Sequence, residues 1–155
     1  MNDSETFCKQ YLEKTFNRPV FQTRHFHPYD LFLTDDDTPT GIPVWFFEVK
    51  GRNNACNAFP DTLVGTNKIE WIEKQISNNP SLKASFYFCF SDQVCSIDYD
   101  KERFNTYSKR KVYSRLHTVI PVSHLTLIDK LESPLVNQPS SVKRFSSSSL
   151  RSCAK

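Results

Sequence analysis

Two short apolar runs separated by an acidic turn constrain this chain more than any other feature. The first is Tyr29-Asp30-Leu31-Phe32-Leu33 and the second is Ile42-Pro43-Val44-Trp45-Phe46-Phe47, which closes on Glu48-Val49-Lys50. Between them lies Asp35-Asp36-Asp37-Thr38-Pro39-Thr40-Gly41, a composition that favours turns because Asp, Pro and Gly satisfy or pre-set bent backbone. Two apolar runs around such a turn read as a β-hairpin. The second run does not alternate with polar residues until its end, so both of its faces are covered. That excludes a one-sided sheet and requires layers on each side.

The flanking segments supply those layers. Phe7, Cys8, Tyr11, Leu12 and Phe16 recur at helical spacing from Ser4 to about Phe16, with Asp3 or Ser4 as cap and Asn17-Arg18-Pro19 as stop. Ile69, Ile72 and Ile76 form the apolar line of a second helix from Thr66 to about Asn78, which Pro80 ends. Ala84 to Phe90 and Gln93 to Tyr99 read as further strands. Lys101 to about Arg110 reads as a short basic helix or loop, and one or two extended pieces surround Val119–Val122. Helix, hairpin, helix, strand, strand is the order of an α/β three-layer arrangement around a mixed sheet. With 155 residues there is one domain, expected over 1–132, and Ser- and Pro-rich composition marks 133–155 as a basic tail outside it.

Composition narrows the setting. No stretch approaches the roughly 18 apolar residues of a membrane span, and the polar N-terminus carries no export signal, so no membrane partner and a cytoplasmic location are expected. The five cysteines form no CxxC pair and no clustered zinc set, and Cys89, inside an apolar run, reads as a small core residue. The net charge of +3 permits a polyanionic partner. Positive charge concentrates between residues 101 and 115, where Lys101, Arg103, Lys109, Arg110, Lys111 and Arg115 face one acid, Glu102, and where Phe104, Tyr107 and Tyr113 are interleaved. Cations with aromatics suit a phosphate backbone and unstacked bases; the competing reading is a solvated helix face. Lys143, Arg144, Arg151 and Lys155 extend this charge into the tail.

The chemistry concentrates on Asp30, Glu48 and Lys50. Side chains two apart on a strand share a face, so Glu48 and Lys50 point the same way, and the hairpin can bring Asp30 within about 5 Å of Glu48. A carboxylate and an ammonium at the end of an apolar strand need partners. Two carboxylates with the Val49 carbonyl make a hard-oxygen site suited to Mg2+ or Mn2+ rather than zinc. Such an ion lowers the pKa of bound water and neutralises a phosphodiester oxygen, while Lys50 orients water or stabilises charge on phosphorus. The bland alternative is a solvated Glu48–Lys50 pair, worth about 0–1 kcal/mol. Asp35, Asp36 and Asp37 are read as turn residues, and His25 and His27 as solvated or core-edge histidines.

The set Asp30, then Glu48-Val49-Lys50-Gly51-Arg52, resembles the D…(D/E)xK signature of the PD-(D/E)xK nuclease superfamily, over about residues 4–100. The literal Pro-Asp pair is absent, since Tyr29 separates Pro28 from Asp30. The resemblance implies a restriction-endonuclease-like fold and a Mg2+-dependent endonuclease on DNA, including branched or junction DNA. It implies Asp30 and Glu48 as metal ligands and Lys50 as the catalytic lysine. Members often add an acidic residue from the first helix, here Glu5 or Glu13 with Glu5 favoured, and a Lys or Gln from the helix after the motif, here Lys68 or Gln75. Arg52, Lys109, Arg110 and Lys111 are the expected nucleic-acid contacts. Cleavage of both strands calls for two sites and hence a homodimer. An RNA-directed nuclease with the same site, and a non-catalytic nucleic-acid-binding protein that keeps the fold, stand as alternatives.

Overall fold

The computed structural model describes residues 1–131, 145–146 and 151–152. The expected tail, 133–155, therefore lies outside the described residues except for two short strands, and Lys143, Arg144 and Lys155 lie outside them entirely.

Helix α1 spans Asp3–Phe16. Its cap is Asn2 rather than Asp3 or Ser4: the Asn2 side chain accepts the Glu5 N–H at 2.8 Å while the Glu5 carboxylate accepts the Asn2 N–H at 3.0 Å. This reciprocal box satisfies two orphan donors at once. The helix ends with Asn17 in the left-handed conformation, φ 51°. Strand β1 (Phe21–Gln22) leads through a bent loop to β2 (Leu31–Thr34), and β3 (Pro43–Gly51) runs antiparallel to β2. The turn between β2 and β3 engages all three aspartates. Asp35 accepts the Ile42 N–H, Asp36 accepts from Thr38, and Asp37 pairs with Arg18 at 2.8 Å. Gly41 is required there, because a Cβ would lie 2.0 Å from the Asp36 carboxylate.

Strand β4 (Asp61–Gly65) and helix α2 (Thr66–Asn78) then cross over to β5 (Lys83–Cys89), which pairs parallel with β3. Parallel neighbours need such a crossover, and this pair makes the sheet mixed. Strand β6 (Gln93–Asp98) follows antiparallel, then helix α3 (Lys101–Asn105), the hairpin β7 (Lys109–Val112) and β8 (Arg115–Pro121), and β9 (Thr126–Leu131). The large sheet runs β1-β2-β3-β5-β6-β9, with the two-residue strands β10 (Phe145–Ser146) and β11 (Arg151–Ser152) on β9. The second sheet, β4-β8-β7, is separate and fully antiparallel.

Alternation along β3 and β5 divides the core between the two faces of the large sheet. Phe46, Phe86 and Phe88 pack with Ile69 and Ile72 of α2. Phe47, Val49, Tyr87 and Cys89 pack with Cys8 and Leu12 of α1. The fold is thus mixed α/β with helices on both faces, as the unalternating second run demands. The second sheet, read from sequence only as a basic helix or loop and some extended pieces, is the main addition. No helix among the described residues is long and apolar enough to cross a membrane.

Candidate active site

The β2–β3 register places Leu31 opposite Phe47 and therefore Asp30, one residue before β2, opposite Glu48. Asp30 is fixed at both ends: its N–H donates to the Phe47 carbonyl at 3.0 Å and its carboxylate accepts the Val49 N–H at 2.8 Å. Glu48 is 1% exposed, which removes the solvated-pair reading. Its Oε2 lies 3.2 Å from the Lys50 ammonium and 2.9 Å from the Lys68 ammonium. Neither approach is a directional hydrogen bond, so Oε2 is a buried acceptor held by charge alone. A buried carboxylate needs such charged partners, because removing it from water costs several kcal/mol when it is unpaired.

Lys68 is positioned by the segment that carries Asp30. Its ammonium donates to the Pro28 carbonyl, and the Tyr29 hydroxyl donates to the Lys68 carbonyl at 3.0 Å. The first turn of α2 is thus clamped onto the 28–30 segment, and Lys68 reaches Glu48 from above the strand. His27 stacks on Phe46, meets Trp71 edge-on and accepts the Tyr29 N–H at 2.9 Å. Burial lowers its pKa, so at neutral pH it is an uncharged core-edge ring.

Asp30 titrates unusually. Burial first, then hydrogen bonding with and repulsion by Glu48, push its pKa up to about 6; the Val49 N–H and the Lys68 charge oppose this. Two carboxyls near enough to perturb each other, beside two ammonium groups, form a site whose charges are in tension. An N–H and C=O of one strand residue point to the same sheet edge. Because the Val49 N–H points at Asp30, the Val49 carbonyl lies on that edge too, beyond the first paired residue of β2. Asp30, Glu48 and the Val49 carbonyl thus supply hard oxygens at one place. The chemistry of this donor set, carboxylate and carbonyl oxygens without thiolate or imidazole, fits a divalent ion that keeps several waters. Among the described residues no cluster of three or more His, Cys, Asp or Glu side chains forms.

Glu5 closes the capping box of α1. Its helix turn does approach the site: Ser4 Oγ lies 3.5 Å from where a Gly51 Cβ would sit, and the Cys8 sulfur feels both Asp30 and Glu5. Glu13, the other acid considered on α1, instead pairs with Lys9 at 3.2 Å and accepts the Val20 N–H. Cys8 is no nucleophile, because its hydrogen bond with Cys89 and its burial raise its pKa well above the usual value.

A cleft of about 530 Å³ opens beside Lys50 and runs to the second sheet. Arg52, Arg110, His117 and Asp61 are among the residues lining it. Arg52 is locked onto β4 by bonds from Nε to Thr62 Oγ1 at 3.1 Å and from Nη2 to the Leu63 carbonyl at 2.5 Å. Arg110 reaches Asp61 at 3.2 Å. Lys109 and Lys111 alternate with Arg110 and project from the opposite face of β7, so the structure does not bring them to the cleft. Sequence reasoning gave His117 no role; its place opposite Arg110 on β8 makes it a cleft residue. No motif surrounds it, and only the β7–β8 register identifies it.

No protein-family model matches this chain, and no curated protein matches it.

Proposed function

We propose that this protein is a metal-dependent endonuclease that hydrolyses phosphodiester bonds in DNA, on a restriction-endonuclease-like fold. The observation that carries the reading is the pairing of half-buried Asp30 with buried Glu48 at the end of the motif strand, with the Lys50 and Lys68 ammonium groups converging on Glu48 Oε2.

Asp30, Glu48 and the Val49 carbonyl are the residues that would hold Mg2+, with Mn2+ as substitute. The ion would supply an acidified water and charge neutralisation on the scissile phosphate. The chain's own contribution is positional. Lys68 holds the Glu48 carboxylate in place and ties it to the Pro28 carbonyl. Lys50, one-third exposed at the mouth of the cleft, donates its N–H groups toward a phosphoryl oxygen as negative charge builds there. Arg52, Arg110 and His117 line the approach and suit a phosphate backbone.

The test is a panel of plasmid, junction, single-stranded DNA and RNA, each with Mg2+, Mn2+ or EDTA, for wild type and Glu48→Gln. Cleavage of DNA with either metal, none in EDTA, and a loss of at least about 10²-fold in the variant with binding retained are expected. Absence of metal-dependent cleavage on every substrate, or equal cleavage by the variant, overturns the reading. Cleavage confined to RNA moves it to the RNA-directed alternative.

A further inference from the structure

The turn joining β7 and β8 is built from the wrong residues for its backbone. The hairpin has a two-residue loop, Tyr113-Ser114, between the paired residues Val112 and Arg115. Both loop residues have positive φ, 49° and 66°. A tight hairpin with two left-handed residues strongly prefers Asn-Gly or Asp-Gly, because a bulky side chain clashes there. Tyr113 is nevertheless 97% exposed and covers nothing. Strain in a place where packing gains nothing points to function rather than to folding.

The surroundings identify what the ring meets. Residues 109 to 116 carry Lys109, Arg110, Lys111 and Arg115 and no acid, and all four are exposed. Cations project from both faces of the ribbon, Arg110 and Arg115 from one and Lys109 and Lys111 from the other. The Arg110–His117 pair at the base of the hairpin lines the same cleft as Lys50. Three residues further out, about 10 Å along the strand, stands the tyrosine.

We propose that the β7–β8 hairpin is a basic arm that lies among DNA phosphates, and that Tyr113 at its tip stacks on a base already freed from pairing, so that the preferred substrate is DNA carrying unpaired or unstacked bases. The inference rests on the endonuclease reading for the neighbouring cleft. Phosphate contacts by the four cations fix the arm without reading sequence. The ring adds a base stack, which is tolerant of base identity and available only where the helix is interrupted. A uniform duplex offers phosphates to the arm but no face to the ring.

The experiment measures equilibrium binding in EDTA, without turnover, of two fluorescent DNAs of equal length and charge. One is a perfect duplex and the other contains an unpaired 2-aminopurine. Wild type is expected to prefer the interrupted DNA by about tenfold, the scale of one base–aromatic stack, and to quench the 2-aminopurine. Tyr113→Ala should lose the preference and the quenching while its duplex affinity stays the same, and Tyr113→Phe should keep both. Tyr113→Asn should lose the preference while raising Tm, since Asn tolerates the left-handed turn. Equal wild-type affinity for the two DNAs, or an unchanged preference in Tyr113→Ala, overturns the inference. Either result leaves the hydrolytic reading standing, because that reading is decided by Glu48→Gln in the cleavage panel.

Discussion

The two sheets divide the work in opposite ways. The large sheet is apolar on both faces, and its chemistry is one cluster at the end of β3, in which buried Glu48 meets half-buried Asp30 and the Lys50 and Lys68 ammonium groups. In the small sheet β4 and β8 reach the core through Val64 and Ile120, but the outer strand β7, Lys109-Arg110-Lys111-Val112, is exposed and its charges stand in solvent. In the large sheet position is imposed by packing, and the pKa of Asp30 at its end is raised. In β7 position is imposed by backbone pairing, and the exposed side chains can follow a ligand. A rigid site beside a compliant one would suit the nuclease activity proposed above.

The largest expected effect tests the packing side. Phe86 is fully buried, with the Tyr29 ring at 5.8 Å and the Phe104 ring at 5.7 Å. Phe86→Ala should cost about 3–5 kcal/mol in urea unfolding, the range for large aromatic truncations. Because Tyr29 adjoins the Asp30 segment, the same variant should weaken divalent-ion binding. A loss under 1 kcal/mol would break the claim that packing positions the site.

Next in size is Lys68→Met, which removes one of the two cations on Glu48. Turnover should fall by about 10²-fold. The metal-free protein should lose stability, because a buried carboxylate keeps only Lys50 as partner. Added Mg2+ should then raise Tm more in the variant than in wild type, since the ion replaces the missing charge. An equal Mg2+ shift in the two proteins would mean that Lys68 and the ion do not share Glu48.

The same contrast explains what could be read from the chain alone. Asp30, Glu48 and Lys50 stood out because each interrupts or ends an apolar run, and desolvation makes such residues conspicuous. Lys68 was reachable, beside Gln75, only through the resemblance, which implies a Lys or Gln on the helix after the motif strand. The small sheet had no such signal. In β4 the inward positions are Thr62 and Val64, so alternation is masked by a buried hydroxyl. In β7 no residue is buried, and the basic run resembles a solvated helix. Glu5 was placed by helix phase, but a carboxylate three residues after Asn2 is also a capping-box partner.

A pH series separates Asp30 from its surroundings. Its pKa is raised from 3.8 to about 6, so the folded chain holds a proton that the unfolded chain releases. Asp30 therefore contributes stability in full below about pH 4 and loses that contribution as pH rises to about 6. Ion binding follows the opposite course, because the carboxyl must be deprotonated first. Mg2+ affinity measured by calorimetry should climb through pH 5 to 6.5 and level off above. Asp30→Asn should lower affinity at every pH and abolish the climb. A climb that persists in Asp30→Asn would assign the titration to another group.

The smallest effect belongs to the small sheet. Arg110 pairs with Asp61, but its side chain is half exposed, so the pair adds little to stability. Arg110→Ala should change the unfolding free energy by less than about 0.5 kcal/mol, as surface substitutions do. Its effect should appear instead in the salt dependence of DNA binding, where each lost phosphate contact lowers the slope of log K against log salt by about 1. Lys109→Ala and Lys111→Ala lie on the other face of the ribbon, and if DNA embraces both faces each should lower the slope by a similar amount. A slope that responds to Arg110 alone would confine the polyanion to the cleft and leave the outer face of the hairpin to solvent.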